Sequence, residues 1–329
     1  MDEATFESWA HAAQVAPCDS VPTRVAVELS FSPEIDAAYN RRKLPKNVLD
    51  LINERRKALN PTNQTKLFLN QKNFYEGFGY IRKDEETIDT YDVAGVLEFL
   101  FIQAPRIHSP AASDPSPSAA WRAAYRRGVD VIVEHAFSPL ESSWQIELNA
   151  MARLRAPHPP LENFDPDVIA DVLVTTGPRP IEVGGGLNRS QCFWQTSADQ
   201  ASVSIIGFAV QYEIYDSKRR EDGRPLGAIL STAQSQRRAL GLKDATIYGA
   251  TIVCGECRVF ASWWDRHSRI CFGPTGHFFR FWQSYDLVRW YVLLCKIRTK
   301  VRELDVDLGE NYALGDPSGA AAWRASDPD

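Results

Sequence analysis

The sequence predicts an α/β fold: a mixed central sheet in its second half with helices packed on it. Three observations carry this. Asp167-Val-Ile-Ala-Asp-Val-Leu-Val-Thr-Thr and Ser202-Val-Ser-Ile-Ile-Gly-Phe-Ala-Val-Gln-Tyr-Glu are β-branched, aromatic runs of strand character. Leu226 to Leu240 has helical spacing and stops at Gly241, a natural residue just past a helix end. Ala245 to Trp264 reads as an apolar hairpin turning at Gly255-Glu256.

The remaining elements are taken in chain order. Residues 1–23 read as a loose leader, and Arg24 to Phe31 alternates like a strand. Ser32-Pro33 suits a helix start, Lys46 to Leu59 a helix ended by Asn60-Pro61, and Tyr91 to Ala104 another helix. This makes 1–106 a mainly helical region, a cap of helical or α/β character on the second half of the chain. The Ser/Pro/Ala-rich stretch 107–119 reads as a linker. Helices are expected over Trp121 to Phe137, over Ser142 to Leu154, and over Phe278 to Val306. The main domain is then 120–306, and 307–329, rich in Gly, Ala, Ser and Asp, reads as a flexible tail.

Hydrophobic residues are 44% of the 329, which is enough to bury a large core. The net charge of −5 argues against indiscriminate binding to a polyanion, so any such role must come from a local basic patch. One exists: Lys218, Arg219, Arg220, Arg224, Arg237, Arg238 and Lys243 are opposed between Ser217 and Lys243 only by Glu221 and Asp222. No apolar run reaches the length of a membrane span, and the first residues lack the pattern of a signal peptide. The expected location is therefore intracellular, in cytoplasm or nucleus. The six cysteines mostly sit in apolar contexts, as reduced thiols do.

The segment richest in chemistry is Val210 to Arg220. If it is a strand, Asp216 and Lys218 share a face, ending an apolar strand in one carboxylate and one ammonium. A hard divalent cation suits the first, and a developing phosphate charge suits the second. Other motifs read as structure. Cys254-Gly-Glu-Cys257 lacks a regular second ligand pair for zinc and suits a hairpin turn. Gly184-Gly-Gly lacks the context of a phosphate loop. His135 suits an apolar helix edge, and Trp263, Trp264, Trp282 and Trp290 suit core packing more than base stacking.

The order of these elements resembles the PD-(D/E)XK nuclease-like superfamily, in particular the group common in fungal genomes. An acid-bearing helix with Trp144 and Glu147 comes first, then a Val174-Thr175-Thr176 strand, then Asp216-Ser-Lys218-Arg219, a Gln-bearing helix and an apolar hairpin. The resemblance covers about residues 120–305 and implies a restriction-endonuclease-like sheet. It also implies Mg2+-dependent phosphodiester hydrolysis on nucleic acid, or a catalytically degenerate relative acting as an interaction or accessory protein. The site it implies is Asp216, Lys218, Glu147 and an Asp on the preceding strand, with Asp216, Asp199 and Glu147 as metal ligands. Asp199 is the first candidate for that preceding acid and Asp171 the second. Arg219, Arg220, Arg237 and Arg238 would contact nucleic acid.

Overall fold

The computed structural model describes residues 3–13, 15–23, 25, 43–44, 50, 79–80, 100, 119–138, 144–155, 167–176, 179–180, 202–203, 205–213, 223–239, 242–253, 255–267 and 269–311. Their elements run α1 (Glu3–Ala12), β1 (Val15–Pro17), β2 (Lys43–Leu44), β3 (Gly79–Tyr80), α2 (Ala119–Phe137), β4 (Trp144–Arg155) and β5 (Asp167–Thr176). Next come β6 (Arg179–Pro180), β7 (Ser202–Val203), β8 (Ile206–Glu213), α3 (Arg224–Ala239), β9 (Ile247–Val253), β10 (Glu256–Trp264), β11 (Ile270–Arg280) and α4 (Ser284–Asn311).

Six long strands and the short β1 form one mixed sheet in the order β1-β11-β10-β9-β8-β5-β4. The strands β4, β5 and β8 form an antiparallel meander. Helix α3 then crosses over, and β9 lies parallel to β8. Beyond it β10 and β11 return antiparallel, and β1 closes the edge parallel to β11. The expected α/β class and mixed, helix-flanked sheet are therefore present.

The sheet is covered on both faces. On one, α2 presents Val129, Ile132, Val133, Ala136 and Phe137, the i, i+3, i+4 spacing of a helix face. These pack with α4 residues such as Trp290 and Leu294 against Val172, Val174, Phe208 and Val210. Phe137 stacks on Phe208 with centroids 5.3 Å apart. The other face takes α1 and α3, with Phe6, Trp9, Leu226, Ile229 and Leu230 packed near Leu173, Ala209, Phe260 and Phe272. Between these layers all seven residues of β9 are buried, as expected of a strand covered on both faces. Gly249 lets α3 come close. A Cβ there would lie 2.8 Å from Leu226 Cδ1 and 3.1 Å from the Ala209 carbonyl. At the other end of α3, the Leu242 N–H donates to the Arg237 carbonyl at 2.9 Å, the six-to-one bond of a Schellman closure.

Several expectations are corrected. Ser142 to Leu154 is not a helix: Trp144–Arg155 is the edge strand β4, and Glu147 sits on it opposite Leu173. Its first half alternates apolar Trp144, Ile146 and Leu148 with polar Gln145, Glu147 and Asn149, and the ladder with β5 overrides the helix-forming Ala150-Met-Ala-Arg-Leu. The long C-terminal helix does not begin at Phe278. Phe278 and Arg280 pair with Arg258 and Glu256 of β10, and α4 starts at Ser284. The loose leader is instead α1 and β1, with Trp9 fully buried. The helices expected at Ser32, 46–59 and 91–104, the strand at 24–31 and the linker lie almost wholly outside the described residues. No described helix is long and apolar enough to cross a membrane.

Candidate functional site

The chemistry concentrates where β5 and β8 part. Their ladder runs to the pair Val172 and Val210. At the next step Asp171 supplies a side chain in place of the backbone: its Oδ2 accepts from the Tyr212 N–H at 2.8 Å. A carboxylate thus satisfies a donor at the point where the strands separate.

Helix α2 supplies the rest. Arg126 Nη2 lies 2.8 Å from Asp171 Oδ1, with 30% and 12% of the two side chains exposed. Its guanidinium also lies over the Tyr212 ring, 4.7 Å from the centroid. One turn further, Asp130 accepts from the Tyr212 hydroxyl through Oδ1 at 2.6 Å. Asp130 is only 3% exposed. Burial raises its pKa from 3.8 to about 6. The Tyr212 bond and Arg126 pull it down, while Asp171 and Glu134 push it up. Near neutral pH this carboxyl can take or give a proton. The centre thus joins Arg126 and Asp130 from α2, Asp171 from β5 and Tyr212 from β8.

The sequence-derived candidates fall in different places. Asp216, Lys218, Asp199, Arg219 and Arg220 lie outside the described residues. Glu147 is on β4, separated from β8 by β5 in the sheet order. Asp171, the second choice for the preceding acid, stands on the strand beside β8. Asp130 was missed, although its signal was present: Arg126, Asp130 and Glu134 recur every four residues on a helix whose apolar face includes Val129, Ile132 and Val133.

The expected surface placement of Arg237 on α3 is also corrected, whereas Arg238 is partly exposed. Arg237 is buried, 1% exposed, and donates through Nη2 to the Lys243 carbonyl at 2.8 Å. Arg238 makes a two-pronged contact with Asp244 at 3.0 and 2.9 Å and stacks over Trp264 at 3.4 Å. The polar residues of α3 from Ser231 to Arg237 face protein. Gln234 Nε2 donates to the carbonyls of Ala245 and Ser262, and Gln236 Oε1 accepts from the Ile206 N–H.

Cys257 is buried, which pushes its thiol pKa well up and suits the hairpin-turn reading. Gly255 in that turn has φ 90°, the left-handed region that favours glycine. His135, part-buried, packs edge-on to the buried Tyr291, 5.9 Å between centroids. Trp263 and Trp290 are core residues, whereas Trp282 is 41% exposed. Compared with known proteins, the chain matches no family model, no curated protein and no solved structure.

Proposed function

We propose that this chain is a nuclease-like protein of the PD-(D/E)XK kind that engages nucleic acid without hydrolysing it, as an interaction or accessory protein. Two features support the kinship. The meander β4-β5-β8, the crossing helix α3 and the parallel β9 suit a restriction-endonuclease-like sheet. The resemblance asks for an acid on the strand before the Asp216–Lys218 segment, and Asp171 stands on β5 next to β8.

The observation that carries the non-hydrolytic reading is the ion pair between Arg126 and Asp171. Both carboxylate oxygens of Asp171 are engaged, one by a guanidinium and one by a backbone N–H. A guanidinium at 2.8 Å takes the place, and opposes the charge, of a divalent cation. Asp130 is committed to Tyr212 and holds its proton up to about pH 6. Among the described residues no three His, Cys, Asp or Glu side chains converge. This donor set does not fit Mg2+ as it stands.

A second reading keeps metal-dependent hydrolysis. Strand β8 ends at Glu213, and Asp216 and Lys218 follow it in the sequence. The test is incubation of the purified protein with labelled single-stranded DNA, RNA and duplex DNA in Mg2+ or Mn2+. Binding without cleavage is expected. Cleavage that needs the divalent cation and is lost in Asp216→Asn would replace the first reading with the second.

A further inference from the structure

The end of the sheet that holds the candidate centre continues across four strands. One row of paired residues is Gln211, Thr251, Arg258 and Phe278, and the next is Glu213, Val253, Glu256 and Arg280. Tyr212 of the centre stands between these rows on β8. Strands are about 4.8 Å apart, so β11 lies roughly 14 Å from β8 along this edge.

Arg258, Phe278 and Arg280 point to one face, because their neighbours Cys257, Val259 and Phe279 belong to the core on the other. That face carries α3, but α3 begins at Arg224, and Gly223 before it rests on Phe260. The rows through Arg258 and Arg280 lie beyond that start. The result is a ledge with an aromatic ring between two cations: the Arg258 and Arg280 guanidinium carbons are 5.8 and 5.4 Å from the Phe278 centroid. Arg280 is half exposed, and its ion pair to Glu256 is loose at 3.7 Å.

Trp282 stands in the turn just past the end of β11. It is 41% exposed, the one large hydrophobic side chain so placed among the described residues. It is also held in position. Its ring packs on the turn between β9 and β10, where a Cβ on Gly255 would lie 3.1 Å from Trp282 Cε3. The adjacent Phe281 N–H donates to the Gly255 carbonyl at 2.8 Å. An indole held rigidly and left half bare loses little entropy when it stacks on a flat ligand.

Building on the nuclease-like reading, we propose that this ledge, on the face of the sheet opposite the Tyr212 ring and α2, is a stacking platform for single-stranded nucleic acid. The exposed Trp282 ring can accept unpaired bases whatever their sequence, and Arg258 and Arg280, the second loosely paired with Glu256, are the cations the ledge offers to phosphates. A duplex hides its base faces and would not use the rings.

The test is fluorescence anisotropy in a chelator, so that binding is read without cleavage. The probes are labelled oligothymidylate and oligouridylate of about 12 nucleotides and a duplex of the same length. The variants are Trp282→Ala, Arg280→Ala and, as control, Lys300→Ala on α4. Wild type is expected to prefer the single strands. Trp282→Ala should weaken binding by about 5- to 150-fold. Arg280→Ala should flatten the slope of log affinity against log salt by roughly 0.7. Lys300→Ala should match wild type, and all variants should keep the wild-type circular dichroism and unfold cooperatively, Trp282→Ala at a lower temperature for its lost packing on Gly255. Binding that persists unchanged in both ledge variants, or a duplex bound as tightly as the single strands, overturns the ledge and leaves the nuclease-like reading standing. Wild type that binds none of the probes at low salt overturns both, and makes a protein partner the occupant to seek. Cleavage on adding Mg2+ would revise only the non-hydrolytic reading.

Discussion

Replacing Asp130 with Asn should stabilise the protein at neutral pH and not at acid pH. The carboxyl is 3% exposed and accepts from the Tyr212 hydroxyl at 2.6 Å. Burial, more than any neighbour, lifts its pKa from 3.8 to about 6. Between these values the folded state keeps a proton that the unfolded state has released, so stability falls as pH rises from about 4 to about 6. A rise of about two pKa units is worth roughly 3 kcal/mol at pH values above 6. Asn is close in volume, carries no charge to desolvate, and keeps an oxygen for the Tyr212 hydroxyl. In urea unfolding near pH 7.5 the Asn variant should therefore gain on the order of 2–3 kcal/mol, and the gain should vanish near pH 4. An Asn variant less stable than wild type near pH 7.5, with the wild-type pH dependence, would refute the argument. It would mean that the folded protein holds Asp130 ionised, with Arg126 outweighing burial.

Arg126→Ala leaves the mostly buried Asp171 carboxylate without its counter-charge and should cost about 2–4 kcal/mol, less than a fully buried pair because Arg126 is 30% exposed. Asp171→Asn should cost less, since its amide oxygen can still accept from the Tyr212 N–H. The double variant should recover part of the loss, and strictly additive costs in denaturant titrations would sink the idea of an ion-pair lock. His277 shows the opposite pH sign to Asp130. Burial, then Arg289 and Lys296, lower its pKa from 6.5 to about 4. The unfolded state takes the proton first, so stability is full above about pH 6.5 and is lost as pH falls toward 4, by roughly 3 kcal/mol. The two effects offset each other in wild type. His277→Gln should therefore expose the Asp130 slope, with melting temperature rising as pH falls from 6.5 to 4; a variant profile identical to wild type would contradict the assignment.

What the sequence revealed, and what it hid, divides by the range of the interactions involved. Helices α2 and α3, strands β5, β8 and β9, and the β9–β10 hairpin were readable because each declares itself locally, by period, by β-branched runs, or by a glycine at its end. Strand β4 was not, because Ala150-Met-Ala-Arg-Leu favours a helix and only the ladder with β5 decides otherwise. Strand β11 was hidden by Gly273, Pro274 and Gly276, which weaken a strand pattern; pairing with β10, before and after the irregularity, makes it one. The site divides in the same way. Asp171 stands out in the sequence as an acid in an apolar strand, but its task depends on where the β5–β8 ladder stops, and no local pattern encodes that. Arg237 and Arg238 look like a basic surface because the sequence near them is polar. Burial of Ser231, Thr232, Gln234 and Gln236 on the same helix shows that a polar helix face can be an interior one when backbone carbonyls and N–H groups of neighbouring segments meet it. Trp282 errs the other way: its aromatic surroundings suggest core, yet one step past Phe281 the chain turns into α4 and leaves the ring at the surface. Charge and aromaticity count as functional signals only once the fold has fixed which side of the sheet they face.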